Sequence, residues 1–85
     1  NHGILVATKS IFEGFYYTHR LVEACQNQVK LMSTGAEIRH VPAEVCEHTY
    51  TQFLKRYSGG KLVLGKDDWD AYVRAQDRID PSYRL

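Results

Sequence analysis

Between residues 44 and 57 apolar side chains recur at Cys46, Tyr50, Phe53, Leu54 and Tyr57, the one-sided spacing of an amphipathic helix. Pro42 stands at its start, where a missing N–H costs nothing. Glu44 and Glu47 lie near the positive end of the helix dipole, and Lys55 and Arg56 near the negative end. Ser58-Gly59-Gly60 supplies a stop with a glycine free to turn left-handed. A second helix is predicted over 68–79, with Asp67 as N-cap and Trp69, Tyr72, Val73 and Ile79 as its apolar stripe. Asp70 and Arg74 form an i,i+4 pair on it, and Asp80-Pro81 ends it, because the residue before proline avoids the helical region.

The pattern changes in the first half. Residues 4–8 are apolar and partly β-branched, as in a buried strand. Residues 29–33 and 36–41, joined by Thr34-Gly35, alternate as a hairpin, with Val29, Leu31, Ile38 and His40 inward and Lys30, Glu37 and Arg39 outward. The stretch 12–25 has two readings. Phe15-Tyr16-Tyr17-Thr18 favours a strand, with Gly14 as a bulge, whereas Ile11, Phe15, Thr18, Val22 and Cys25 also fit a helical face. The strand is taken, since three adjacent aromatic residues suit a helix with a solvated side poorly. Residues 61–64 are a short strand or an extended connector. Strands followed by helices imply an α+β fold. An antiparallel sheet of three to four N-terminal strands carries two C-terminal amphipathic helices packed on one face.

Composition then narrows the function classes. The 85 residues are 44% hydrophobic and 25% charged, enough apolar surface for one domain over 1–85 and too little chain for two. The net charge of +1 lacks the basic excess of a dedicated duplex binder. Two cysteines, Cys25 and Cys46, are too few for a disulfide scaffold and read as buried thiols of a cytoplasmic protein. No apolar run approaches the roughly 20 residues of a membrane span, and no signal peptide pattern is present. The only methionine is Met32, so a start upstream is expected.

Candidate chemistry is sparse. Cys46 and His48 sit two residues apart on a helix and point to opposite faces, and no C-x-x-C or H-x-x-x-H spacing occurs. Hence no metal, cofactor or catalytic residue is assigned. Ser58-Gly59-Gly60-Lys61 follows a helix and lacks the hydroxyl residue of a phosphate loop. Lys55, Arg56, Lys61 and Lys66 form a run of cations that could hold a nucleic-acid backbone, although Asp67, Asp68 and Asp70 follow at once.

Six tyrosines, three phenylalanines and one tryptophan are a surplus of aromatic rings. On a strand, the rings at 12–17 would alternate between faces. That leaves a ligand or partner surface of Tyr16, Tyr17, His19 and Arg20 on the open side of the sheet. The expected function is therefore a small cytoplasmic binding or assembly module. It is a homodimer that meets a protein or small-molecule partner, without a membrane. A nucleic-acid accessory protein using the cation run is the first alternative. A small enzyme with His19 or His40 as general base is the second.

Overall fold

The computed structural model describes residues 2–84. Their regular structure is helical: α1 (Ile11–Ser33), α2 (Ala43–Ser58), α3 (Lys66–Ile79) and a closing 3-10 turn, Pro81–Tyr83. No strand forms among the described residues, which overturns the expected α+β fold and its antiparallel sheet. Residues 4–8 run without regular structure, and 12–25 lie wholly inside α1. Residues 29–33 are its last turns, 36–41 are irregular, and 61–64 form a connector.

Helix displaces strand at 12–25 for reasons of capping and spacing. Ser10 caps the helix with help from Glu13: the Glu13 N–H donates to Ser10 Oγ at 3.3 Å, and Glu13 Oε2 accepts from the Lys9 N–H, one residue before the capping-box position, at 3.3 Å. Thr8 Oγ1 adds a bond to the Ser10 carbonyl at 2.8 Å. Phe12, Phe15, Tyr16 and His19 then fall at i, i+3, i+4 and i+7, so their rings share one helical face. The β preference of aromatic residues expresses packing on a pleated surface, and no such surface forms here. From 20 to 33 only Val22 and Val29 are β-branched, and the remainder includes strong helix formers such as Leu21, Glu23, Ala24 and Lys30. Thr34-Gly35, expected as a hairpin turn, instead ends α1. Their N–H groups donate to the Leu31 and Met32 carbonyls at 3.2 and 3.3 Å.

The chain divides into two compact units, 1–19 with 63–85, and 20–62, so that α1 contributes to both. In the first unit Leu64 is 7% exposed and Gly65 is buried, while Phe12, Phe15, Tyr16, Trp69 and Val73 are half-buried. Helix α3 begins two residues before the expected start. Gly65 is its N-cap, at φ +78°, and the Trp69 N–H donates to the Gly65 carbonyl at 2.8 Å. Asp67, expected to cap, lies with Asp68 in the first turn, where both complement the dipole. Asp80 is extended before Pro81, and its N–H donates to Gln76 O at 2.8 Å.

In the second unit α2 matches the expected helix to within a residue at each end. Val45 and Cys46 donate their N–H groups to the Pro42 carbonyl at 3.0 and 3.2 Å. The left-handed glycine after it is Gly60, at φ +69°, while Gly59 is not left-handed. Of the α2 stripe, only Phe53 and Tyr57 are half-buried, with ring centroids 5.1 Å apart. Cys46, Tyr50 and Leu54 are exposed. Both cysteines are free and exposed, contrary to the expected buried thiols.

Candidate functional site

In the first unit α1 and α3 bring aromatic rings together. Trp69 meets Phe12 and Phe15 edge-on, at centroid distances of 6.1 and 5.5 Å. Tyr72 meets Phe15 at 5.2 Å. His19 lies 6.2 Å from Phe15, nearly parallel to it, and 6.1 Å from Tyr72. Edge-to-face contacts of this kind contribute roughly 0.5–1.5 kcal/mol each beyond the area they bury. Lys66 closes one side: its ammonium stands 5.1 Å from the Phe12 ring centre and pairs with the Asp70 carboxylate one turn on. The expected Asp70–Arg74 pair is thus replaced by Lys66–Asp70. Gly65 lets the loop approach α1, since a Cβ there would lie 2.9 Å from Tyr16 Cβ and closer still to the Phe12 carbonyl oxygen.

A second polar cluster joins α3 to the closing turn. Arg84 grips Asp77 through two bonds, Nε to Oδ1 at 2.7 Å and Nη2 to Oδ2 at 2.6 Å. The Tyr83 hydroxyl donates to the same Oδ1 at 2.5 Å. The Arg84 bond and then the Tyr83 bond hold the Asp77 carboxyl below the usual carboxylate range. Asp77 in turn raises the pKa of Arg84. Asp80 is lowered as well, because its Oδ1 accepts from the Ser82 N–H at 2.9 Å.

The predicted site residues are rearranged. Tyr16, Tyr17 and His19 lie on α1 within the first unit, with the Tyr16 and Tyr17 rings 5.8 Å apart. Arg20 begins the second unit, and its Nη1 reaches Glu23 at 2.9 Å. No sheet face gathers these four, and His19 joins the aromatic cluster instead. Of the four cations, Lys55, Arg56 and Lys61 belong to the second unit and Lys66 to the first, where Asp70 neutralises it. His40 lies in the irregular segment after α1. Among the described residues no three His, Cys, Asp or Glu side chains are placed to hold a metal ion. An open apolar groove of about 480 Å³ is lined by Cys25, Gln26, Val29 and Lys30.

Sequence reasoning missed Trp69 and Tyr72 as partners of Phe12 and Phe15, and the signal was there in the i, i+3, i+7 spacing of Phe12, Phe15 and His19. It also missed the Asp77 cluster, for which six- and seven-residue separations give no periodic clue.

No helix among the described residues is long and apolar enough to cross a membrane. No family model and no solved structure matches the chain. A Pseudomonas aeruginosa protein, provisionally named an aldolase class 2 protein, is 33% identical over 89 residues. The match takes in 99% of this chain and 32% of the relative, so the chain spans about a third of the length of the curated protein it resembles.

Proposed function

We propose that this chain acts as the helical region of an aldolase class 2 type protein, supporting carbon–carbon bond cleavage of a hydroxy-carbonyl substrate. The observation that carries the reading is the 33% identity running over almost the whole chain. The side chains left open to solvent agree with it. Leu5, Ile11, Val29, Met32, Val41 and Ile79 are all largely exposed, which is surface suited to packing against further protein. The part of the role that this geometry supports is structural. The Phe12–Phe15–Trp69–Tyr72 cluster and the close approach at Gly65 set the spacing of α1 and α3, and rigid elements hold reacting groups better than loops do.

A chimera tests this reading. The matched third of the Pseudomonas protein is replaced by these 85 residues. Helicity, assembly size and aldehyde release from a panel of β-hydroxy ketones are then compared with the intact parent. A soluble chimera of parental size that releases aldehyde from the same compounds supports the proposal. An aggregated chimera, or a folded one inactive on compounds the parent cleaves, overturns it.

A further inference from the structure

We infer that residues 4–8 are a strand offered to a sheet outside this chain, and that the sheet belongs to the remaining two thirds of an aldolase class 2 type protein. The inference rests on the aldolase reading and gives its packing surface a partner of definite chemistry. The sheet is not one formed within this chain, because no strand forms among the described residues.

The segment is apolar on both sides. On an extended backbone Ile4, Val6 and Thr8 fall on one side, and Leu5 and Ala7 on the other. Such a run suits a sheet with both faces covered. At present Leu5 is 91% exposed and Ile4 55%. The backbone is equally unmet: no N–H or C=O of residues 3–8 is paired with another described residue. Once these side chains leave water, their peptide groups need partners as well, and for an extended run neighbouring strands supply them. A helix is no alternative. Five residues are too few for one, Gly3 sits at φ +107° before them, and the Glu13 N–H bond to Ser10 Oγ fixes the start of α1 after them.

Two observations choose the partner. A second copy of this chain could offer only the same five residues, and a two-stranded ribbon with bare faces is marginal in water. The match covers 32% of the Pseudomonas protein, so about two thirds of that protein lies beyond it, ample chain for a sheet. Connectivity agrees. Only Lys9 and Ser10 separate residue 8 from α1, the short link by which a strand hands over to a helix lying on its own sheet.

The test reads amide hydrogen exchange at residues 4–8 in the chain alone and in the chimera. In the chain alone these amides exchange at unstructured rates, and in the chimera they slow at least about a hundredfold. Val6→Pro abolishes that slowing, since proline cannot donate to a ladder. Leu5→Lys and Val6→Lys each lower the urea midpoint of the chimera, because the two side chains face opposite covered sides, while Leu5→Lys leaves the midpoint of the chain alone unchanged.

Unstructured exchange at 4–8 in a folded chimera overturns the inference. A lowered midpoint in only one lysine variant overturns burial on both sides. Slowing in the chain alone that grows with concentration gives the strand to a second copy and overturns the partner. Should the chimera not fold, exchange in the intact Pseudomonas protein at the residues aligned with 4–8 decides: slow exchange supports the inference and fast exchange overturns it. Aldehyde release tests the aldolase reading and amide exchange tests the strand, so a folded, inactive chimera with slow exchange at 4–8 separates the two.

Discussion

Gly65→Ala is the substitution whose outcome the structure fixes most tightly. Gly65 sits at φ +78°, a backbone region costing roughly 1–2 kcal/mol for a residue with a Cβ. The new methyl would lie 2.9 Å from Tyr16 Cβ and 3.0 Å from the Phe12 carbonyl carbon, with the Phe12 oxygen nearer still. These are backbone and Cβ atoms, so no flexible side-chain end can move aside. The helix and the loop must separate, which at a packed site costs about 1–3 kcal/mol. Together, less the roughly 0.4–1 kcal/mol that any glycine-to-alanine change gains from the unfolded chain, they predict a loss of about 1–4.5 kcal/mol, a large share of the total for a chain of this size. Gly35→Ala isolates the backbone part. Gly35 has φ +69°, but a Cβ there meets nothing within 4 Å. Part of its strain is offset by the lower entropy of the unfolded alanine chain, leaving about 1 kcal/mol or less. Gly65 lies in the first unit and Gly35 in the second, so urea unfolding is followed by Trp69 emission for the first and by far-ultraviolet circular dichroism for both. Equal shifts in the two variants would refute the steric argument.

Phe53→Ala should cost about 1–2 kcal/mol rather than the 3–5 kcal/mol of a core phenylalanine, because the ring is only half-buried; urea midpoints of the isolated chain measure it. Ser10→Ala removes the Oγ that accepts from the Glu13 N–H, and should lower stability by about 1 kcal/mol with faster amide exchange confined to the first turn of α1. Asp77 titrates below its ordinary range in the folded chain, so the anchoring of Arg84 is complete above about pH 4 and fades as pH falls below it. Proton exchange at Arg84 Nε, followed by nuclear magnetic resonance, should rise on acidification in the wild type. In Asp77→Asn it should already be fast at neutral pH.

Where start signal, apolar stripe, charge gradient and stop signal agreed, as for α2, the element was legible almost to the residue. Helix α3 was legible in type but not in its start. Asp67 has the chemistry of an N-cap, yet Gly65 takes the position because only glycine tolerates both the left-handed turn and the approach to Phe12 and Tyr16. The error at 12–25 came from weighing the β preference of Phe15, Tyr16 and Tyr17 over the Ser10 cap and Glu13 at the start of the stretch. A strand preference needs neighbouring strands to act on, and 4–8 and 36–41 do not pair among the described residues. The grouping of Tyr16, Tyr17, His19 and Arg20 followed from that sheet. On a helix, successive residues turn 100° apart, and His19 rotates toward Phe15 and Tyr72 while Arg20 turns to Glu23. The Lys66–Asp70 pair and the Asp77 anchor depended on where α3 begins and how the closing turn folds back.

Leu64 is the one large apolar side chain buried among the described residues, and even it keeps 7% of its surface exposed. Heat capacity of unfolding is set mainly by the apolar area newly exposed to water, at about 12–15 cal/mol/K per residue for an ordinary domain. Here most of that area is already hydrated in the native chain, so the increment should fall well below that value. A small increment flattens the stability curve. Calorimetry of the chain by itself should then give a broad, shallow endotherm, and a sharp one would emerge only when its apolar helix faces are covered.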